Sequence, residues 1–287
     1  FFRRAGELRP EAPAHRGMRG PCGKAVFMFK IKNLMLKYPD KLICHNLNLT
    51  VNPGECWAIL GRNGCGKTTL IHALGGLRQG NGDNQSSISL RGKLLETWSR
   101  RELARHTGML LQEEPGEFWG NVREYILLGR HPHADTLFGW LPSDEDIAFS
   151  VIERMELAGV AHRPLGTLSG GERQRARIAL LLAQSPQCYL LDEPLQHLDL
   201  RHQLGVMQLF KELGRQGNTV MMVLHDIGWA RRFCDHVLMI FDEGHIIAGT
   251  AEDLLNRENL EALYQCSMDE FLGEPKRQAS PRSGCSV

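Results

Sequence analysis

Residues 61 to 69 read Gly-Arg-Asn-Gly-Cys-Gly-Lys-Thr-Thr, directly behind the apolar run Cys56-Trp57-Ala58-Ile59-Leu60. Gly61-x-x-x-x-Gly66-Lys67-Thr68 has the spacing of a phosphate-binding loop set between a strand and a helix. Glycines let successive backbone N–H groups converge on phosphate oxygens, and the helix starting near Lys67 adds its positive dipole end. Lys67 brings a point charge and Thr68 offers a hydroxyl to Mg2+. A glycine turn arising by accident would lack that strand and helix context. The metal needs a second, acidic position. The segment "CYLLD" ends in Asp192-Glu193, and an aspartate at the carboxyl end of a parallel strand faces the same crevice as the loop. Asp192 can hold Mg2+ through water, and Glu193 can orient and deprotonate an attacking water. Adjacent carboxylates on a turn are usually just solvated; the four apolar residues leading into these set them apart.

These groups need elements to hold them. "FKIKNLMLKY" and "NLNLTV" alternate as strands, and the turn Asn52-Pro53-Gly54 makes them a meander leading into the strand before the loop. "TTLIHALGGL" has helical apolar spacing and stops at Gly75-Gly76. The middle third reads as a helical lobe. Asn121 with Glu124 caps one helix, and Ser143 with Asp146 forms a capping box for a second that ends at Gly159. Then "ERQRARIALLLAQ", "CYLLD", "RHQLGVMQLFKELG", "TVMMVLHD" and "IGWARRFC" alternate helix and strand, which predicts a parallel sheet with helices on both faces. A hairpin in "VLMIFDEGHIIAGT" turns at Glu243-Gly244.

Lysine plus arginine (34) nearly cancels aspartate plus glutamate (33), so the chain lacks the basic bias that concentrates nucleic acid. The eight cysteines include no Cys-x-x-Cys pair, which argues against zinc and disulfides and for a reducing, cytosolic compartment. Apolar runs such as residues 178 to 183 fall far short of the roughly 20 residues that a spanning helix needs, so work at a membrane would require another chain to cross it. Residues 1–27 are read as a disordered, Arg-bearing extension, with translation expected to start near Met28 or Met18; residues 266–287 are read as a C-terminal tail, mobile from Gly273 onward.

"LSGGERQR" at residues 168 to 175 lies between the helical lobe and the Asp-Glu strand and behind the phosphate loop. In that setting the chain resembles the ATP-binding subunits of ABC transporters over nearly all of residues 28–265. The resemblance implies an α/β fold: a P-loop NTPase (RecA-like) core with a parallel sheet, an antiparallel β subdomain and an inserted helical subdomain at about 113–172. It implies an Mg-dependent ATPase whose loop residues Gly61, Arg62, Asn63, Gly64, Cys65, Gly66, Lys67, Thr68 and Thr69 hold ATP. Thr68, Gln112 and Asp192 are implied Mg2+ ligands, and Glu193, His225, Gln112 and Lys67 the catalytic set. Tyr38 matches an aromatic that stacks on adenine, an interaction of about 1 to 3 kcal/mol; a strand-end core tyrosine is the plainer alternative. Ser169, Gly170, Gly171 and Glu172 match the signature that holds the γ-phosphate of ATP bound to the opposite subunit, and Asp199 in "QHLD" matches an aspartate at the subunit contact. Leu195, "QHLD" in place of the frequent "SALD", and Cys65 in place of serine depart from the family pattern. Alkylating Cys65 is expected to block ATP binding.

The resemblance further implies a homodimer closing over two Mg-ATP at the cytoplasmic face of a bacterial inner membrane. Its other partners would be transmembrane permease subunits and, indirectly, a periplasmic or extracellular binding protein, with no nucleic acid. Phe118 and Trp119 would meet the permease. "VREYILLGRHPHADTLFGW" resembles importers of metal chelates: iron-siderophore, haem and cobalamin. His131 and His133 lack further ligands and are read as loop residues. The alternatives are an ABC ATPase for another cargo, a non-transport ABC ATPase in DNA repair or translation, a small-molecule kinase on the same loop, and a module that binds ATP without turnover. Glu193, Gln112 and His225 together oppose the last.

Overall fold

The structure, a computed structural model, describes residues 27–38, 41–78, 86–112, 118–134 and 139–267. The readings of residues 1–27 as disordered and of residues 266–287 as a tail therefore lie outside the described residues, apart from Phe27, Cys266 and Ser267.

The first half of the described chain runs β1 (Phe29–Tyr38), β2 (Lys41–Val51), β3 (Cys56–Gly61), α1 (Lys67–Leu74), β4 (Ser87–Leu90), β5 (Lys93–Leu94), α2 (Arg100–His106), β6 (Thr107–Leu110) and α3 (Val122–Leu127). Then come α4 (Pro142–Arg154), α5 (Gly170–Gln184), β7 (Cys188–Asp192), α6 (Leu200–Arg215), β8 (Thr219–Val223), α7 (Ile227–Phe233), β9 (His236–Ile240), β10 (Ile246–Thr250), α8 (Ala251–Leu254) and α9 (Arg257–Tyr264). Two sheets form. One is antiparallel in the order β2-β1-β4-β5, and the other runs β10-β9-β3-β8-β7-β6, with β9 through β6 parallel and β10 antiparallel at the edge.

β1 and β2 pair antiparallel, as the meander reading expects, and β3 does not join their sheet. It leaves β2 after the turn at Gly54, whose φ of 87° suits glycine, and enters the parallel sheet between β8 and β9. The reason is burial: all six residues of β3 are buried, as are all five of β7 and of β8. Strands apolar on both sides belong in the middle of a covered sheet. Their side chains alternate between two cores. Trp57, Ile59, Leu190, Met221 and Val223 pack with α1 and the antiparallel sheet, while Ala58, Leu60, Leu191 and Met222 pack with α5 and α6. The expected helices on both faces are thus α1 and an antiparallel sheet on one side, and α5, α6 and α7 on the other. Each fully buried aliphatic contributes about 1.5 to 3 kcal/mol relative to exposure.

The helical lobe starts as expected. Asn121 Oδ1 accepts from Glu124 N at 2.9 Å, and Glu124 Oε2 accepts from Asn121 N at 2.9 Å. The next helix differs. It begins at Pro142, a residue suited to the first turn because it has no N–H to satisfy, and Asp144 rather than Asp146 reaches back to accept from Leu141 N at 3.1 Å. It ends at Arg154, with a separate 3-10 turn at Ala158–Val160. Arg130 Nε donates to Asp144 Oδ1 at 2.9 Å and Arg130 Nη1 to Ala183 O at 2.8 Å, a buried cross-tie from the lobe to α5. His133 Nε2 lies 2.8 Å from Gln184 O, so this histidine closes the C-terminal end of α5.

Candidate functional site

The parallel register lines up the chemistry. Asp192 pairs with Val223, and Val223 with Ile59, so β7, β8 and β3 end at one edge of the sheet. Leu110 pairs with Leu191, which brings Gln112 to the same edge from β6. The loop after Gly61, the Asp192-Glu193 turn, His225 and Gln112 therefore share one rim, as the sequence predicts for a ligand crevice at the carboxyl ends of parallel strands.

The loop is built by close approaches. Gly66 has φ 108°, and a Cβ there would sit 2.5 Å from Ile43 Cγ2 on β2, so the loop passes where only glycine fits. It leads into α1, whose N-terminus has no side-chain cap. Uncapped helix N–H groups favour an anion. Lys67 is buried and its Nζ crosses the loop, donating to Gly61 O at 2.9 Å and Arg62 O at 3.0 Å. Lys41 Nζ donates to Gly64 O at 3.0 Å, and Arg62 is anchored to Asp242 at 3.1 Å and to Gln265 at 2.6 Å. Asn63 and Gly64 are exposed, while Thr68 and Thr69 are half-buried.

Cys65 departs from expectation. It is 2% exposed, and a Cβ built on Gly61 would lie 2.7 Å from its Sγ, so the side chain turns under the loop. Burial raises its pKa above the ordinary thiol value despite nearby Lys67. A buried thiol that stays protonated is a poor target for alkylation, so the proposed block of ATP binding through Cys65 lacks a reactive group.

Asp192 is 2% exposed, and both of its carboxylate oxygens lack a hydrogen-bond partner. Burial pushes its pKa up; Thr68, close but not in ordinary hydrogen-bond geometry, opposes this, and Glu193 reinforces it. A buried carboxylate without a partner is costly and fits a site that a hydrated cation would complete. The donor set at hand, a carboxylate, the Thr68 hydroxyl and the Gln112 amide, is the hard-oxygen chemistry of Mg2+.

Glu193 adopts φ 51°, a left-handed conformation uncommon for a side-chain residue. The turn separates the two carboxylates, sending Asp192 inward and Glu193 to His225, whose Nε2 lies 2.7 Å from Glu193 Oε1. Gln196 Nε2 donates to Glu193 Oε2. Gln196 belongs to the unusual "QHLD" and is a contact that the sequence did not flag. Gln174 and Arg177 are two more, since side chains reaching across the fold leave no local pattern.

The signature segment forms a separate cradle. Ser169 caps α5 reciprocally with Glu172, with Glu172 N donating to Ser169 Oγ at 3.3 Å and Ser169 N to Glu172 Oε2 at 2.9 Å. The Ser169 backbone bond, then its hydroxyl, holds the Glu172 carboxyl below its usual range. Gly170 and Gly171 lie against His197, to whose carbonyl a Cβ on Gly171 would come within 3.1 Å. Ser169 and Gly170 are exposed. Among the described residues no hydrogen bond joins residues 169 to 172 to the loop at 61 to 69. Asp199 caps α6 through His202 N at 2.9 Å and is exposed. Tyr38 is 55% exposed with the Arg78 guanidinium 4.4 Å from its ring centroid. Trp119 is 88% exposed, while Phe118 is half-buried against Tyr125, so the two aromatics differ in what they offer a partner.

A phosphate loop, an acidic strand end and a signature helix on one α/β frame define a nucleotide-hydrolysing cassette. The family model described as ABC transporter matches residues 44–196. The chain is similar to the ferric enterobactin transport ATP-binding protein FepC of Escherichia coli (strain K12), 34% identical over 84% of this chain and 88% of that protein. It is also similar to the hemin import ATP-binding protein HmuV of Gloeobacter violaceus, 36% identical over 82% and 86% respectively. Among solved structures, an ABC transporter chain in an inward-facing conformation superposes with TM-score 0.72 at 28% identity, covering 84% of this chain and 90% of that one. A dimeric ATP-binding cassette bound to ADP and Pi superposes with TM-score 0.67 at 25% identity, covering 78% and 99%. The chain belongs to the ABC transporter family, as one of its ATP-hydrolysing subunits.

Proposed function

We propose that the chain binds Mg-ATP on the rim formed by residues 61 to 69, Gln112, Asp192, Glu193 and His225, and hydrolyses it to drive import of a metal chelate through a separate permease. The observation that carries the reading is Asp192, a buried carboxylate with both oxygens unpartnered beside the Thr68 hydroxyl and the uncapped start of α1. Backbone N–H groups of the loop, with Lys67, hold the phosphates, and Tyr38 stacks on the base. Thr68, Asp192 and Gln112 hold Mg2+, which when bound neutralises charge on the phosphates. Glu193, oriented by His225 at 2.7 Å and by Gln196, takes the proton of the attacking water.

Ser169, Gly170, Gly171 and Glu172 complete the site of a second copy of the chain, and Asp199 lies at the contact between copies. That Ser169, Gly170 and Asp199 are exposed, and that among the described residues none of residues 169 to 172 is hydrogen-bonded to the chain's own loop, supports a shared site. Residues 28–265 form the ATPase domain, with the lobe at about 113–172 as the part that meets the permease. Among the described residues no helix is long and apolar enough to cross a membrane; the chain acts at the cytoplasmic face beside spanning subunits. Cargo of the iron-siderophore or haem kind is favoured by the relatives, whose names specify ferric enterobactin and hemin; cobalamin rests on the resemblance of residues 122 to 140 alone.

Glu193→Gln tests the reading. Steady-state ATPase is expected to fall about 100-fold or more while nucleotide binding persists, because only the proton acceptor is removed. Parent-like turnover would overturn it.

A further inference from the structure

Gln112 and Glu193 lie just past the carboxyl ends of two different strands, β6 and β7, and neither is held by its strand's ladder. One helix face braces both. Gln174, 2% exposed on α5, donates from Nε2 to Pro194 O at 2.9 Å, directly after Glu193. Its Oε1 accepts from Arg177 Nη1 at 3.0 Å. Arg177 Nη2 in turn donates to Leu111 O, directly before Gln112. Positions 174 and 177 are three apart on α5 and so share a face. The planar guanidinium fork fixes both of these bonds in one geometry, and the Gln174 amide is satisfied at both ends. The same helix begins at Ser169-Gly170, so the brace connects the exposed cradle to both sides of the hydrolytic rim.

We infer that Arg177 and Gln174 are positioning residues that set the spacing between Gln112 and Glu193, and that Arg177 acts on turnover through Gln112. The inference rests on the reading of Gln112 and Glu193 given above. The brace reaches the backbone beside each group, at Leu111 O before Gln112 and Pro194 O after Glu193. A misplacement of about 1 Å at such a site costs on the order of 100-fold in rate.

The test is a cycle in the full chain: Arg177→Met, Gln112→Ala and the double variant, read as kcat and KM for ATP and as the Mg2+ concentration for half-maximal activity. Arg177→Met is expected to lower kcat about 10- to 100-fold with KM held within about twofold. It should raise the Mg2+ requirement, and it should have no further effect in the Gln112→Ala background. Arg177→Lys, which keeps one donor, should recover part of the loss. A merely structural brace would lower thermal stability and give additive losses; additive losses, or a parent-like kcat in Arg177→Met, overturn the inference alone. An unchanged kcat in Gln112→Ala overturns the reading of Gln112 and the inference with it. If Arg177→Met does not fold, Arg177→Lys and Gln174→Glu carry the same cycle.

Discussion

Asp192 and Glu193 are neighbours with opposite surroundings. The first is sealed beneath the loop without a partner, and the second is turned by its positive φ toward His225. Such a division lets one carboxylate serve a cation and the other a water. It also sets stability against activity. Asp192→Asn removes an uncompensated buried charge and should stabilise the nucleotide-free protein by on the order of 1 kcal/mol while abolishing Mg-dependent turnover, measured by thermal unfolding and ATPase assay. A second consequence concerns thiols. Cys266 is exposed and Cys65 buried with a raised pKa, so N-ethylmaleimide at neutral pH should label Cys266 before Cys65 and leave ATPase intact; peptide mass mapping reads the order. The sequence shows the loop and the acidic pair because both sit at strand ends, where apolar runs give way to polar residues. It does not show that Cys65 turns inward or that Gln196 reaches Glu193, since side-chain direction depends on what packs beneath.

At the scale of elements, the reciprocal cap of Asn121 with Glu124 was legible in the sequence. The helix at Pro142 was displaced from the Ser143 reading because proline's fixed φ starts the helix there, moving the cap position two residues earlier, from Ser143 to Leu141. β3 was legible as a strand but not in its pairing, because periodicity records which faces are buried and not which strand lies alongside. The Ser169 cap joins local stability to the shared cradle. Ser169→Ala should cost about 0.5 to 2 kcal/mol and reduce ATPase while leaving ATP binding to the isolated chain unchanged, as unfolding and nucleotide titration would show. The cap is pH-dependent in a definite sense. The Glu172 pKa is lowered by Ser169, so its contribution is present above the ordinary carboxylate range and is lost as pH falls through the lowered value. Ser169→Ala should remove part of that acid sensitivity.

For the whole molecule, a strand-helix alternation predicts a doubly covered sheet, and the structure supplies one covered by helices on one face and by α1 with an antiparallel sheet on the other. One chain presents two unlike halves: a rim holding a phosphate loop, and a cradle at the start of α5 that, among the described residues, makes no hydrogen bond to that loop. Two copies placed head to tail would complete two sites, with closure driven by the triphosphate held between them. The central claim is that shared site. The most direct measurement is size exclusion of Glu193→Gln beside the parent, with and without Mg-ATP. The account predicts a stable dimer for Glu193→Gln only when Mg-ATP is present, and a monomer for the turning-over parent. A Glu193→Gln chain that binds ATP and stays monomeric would contradict it.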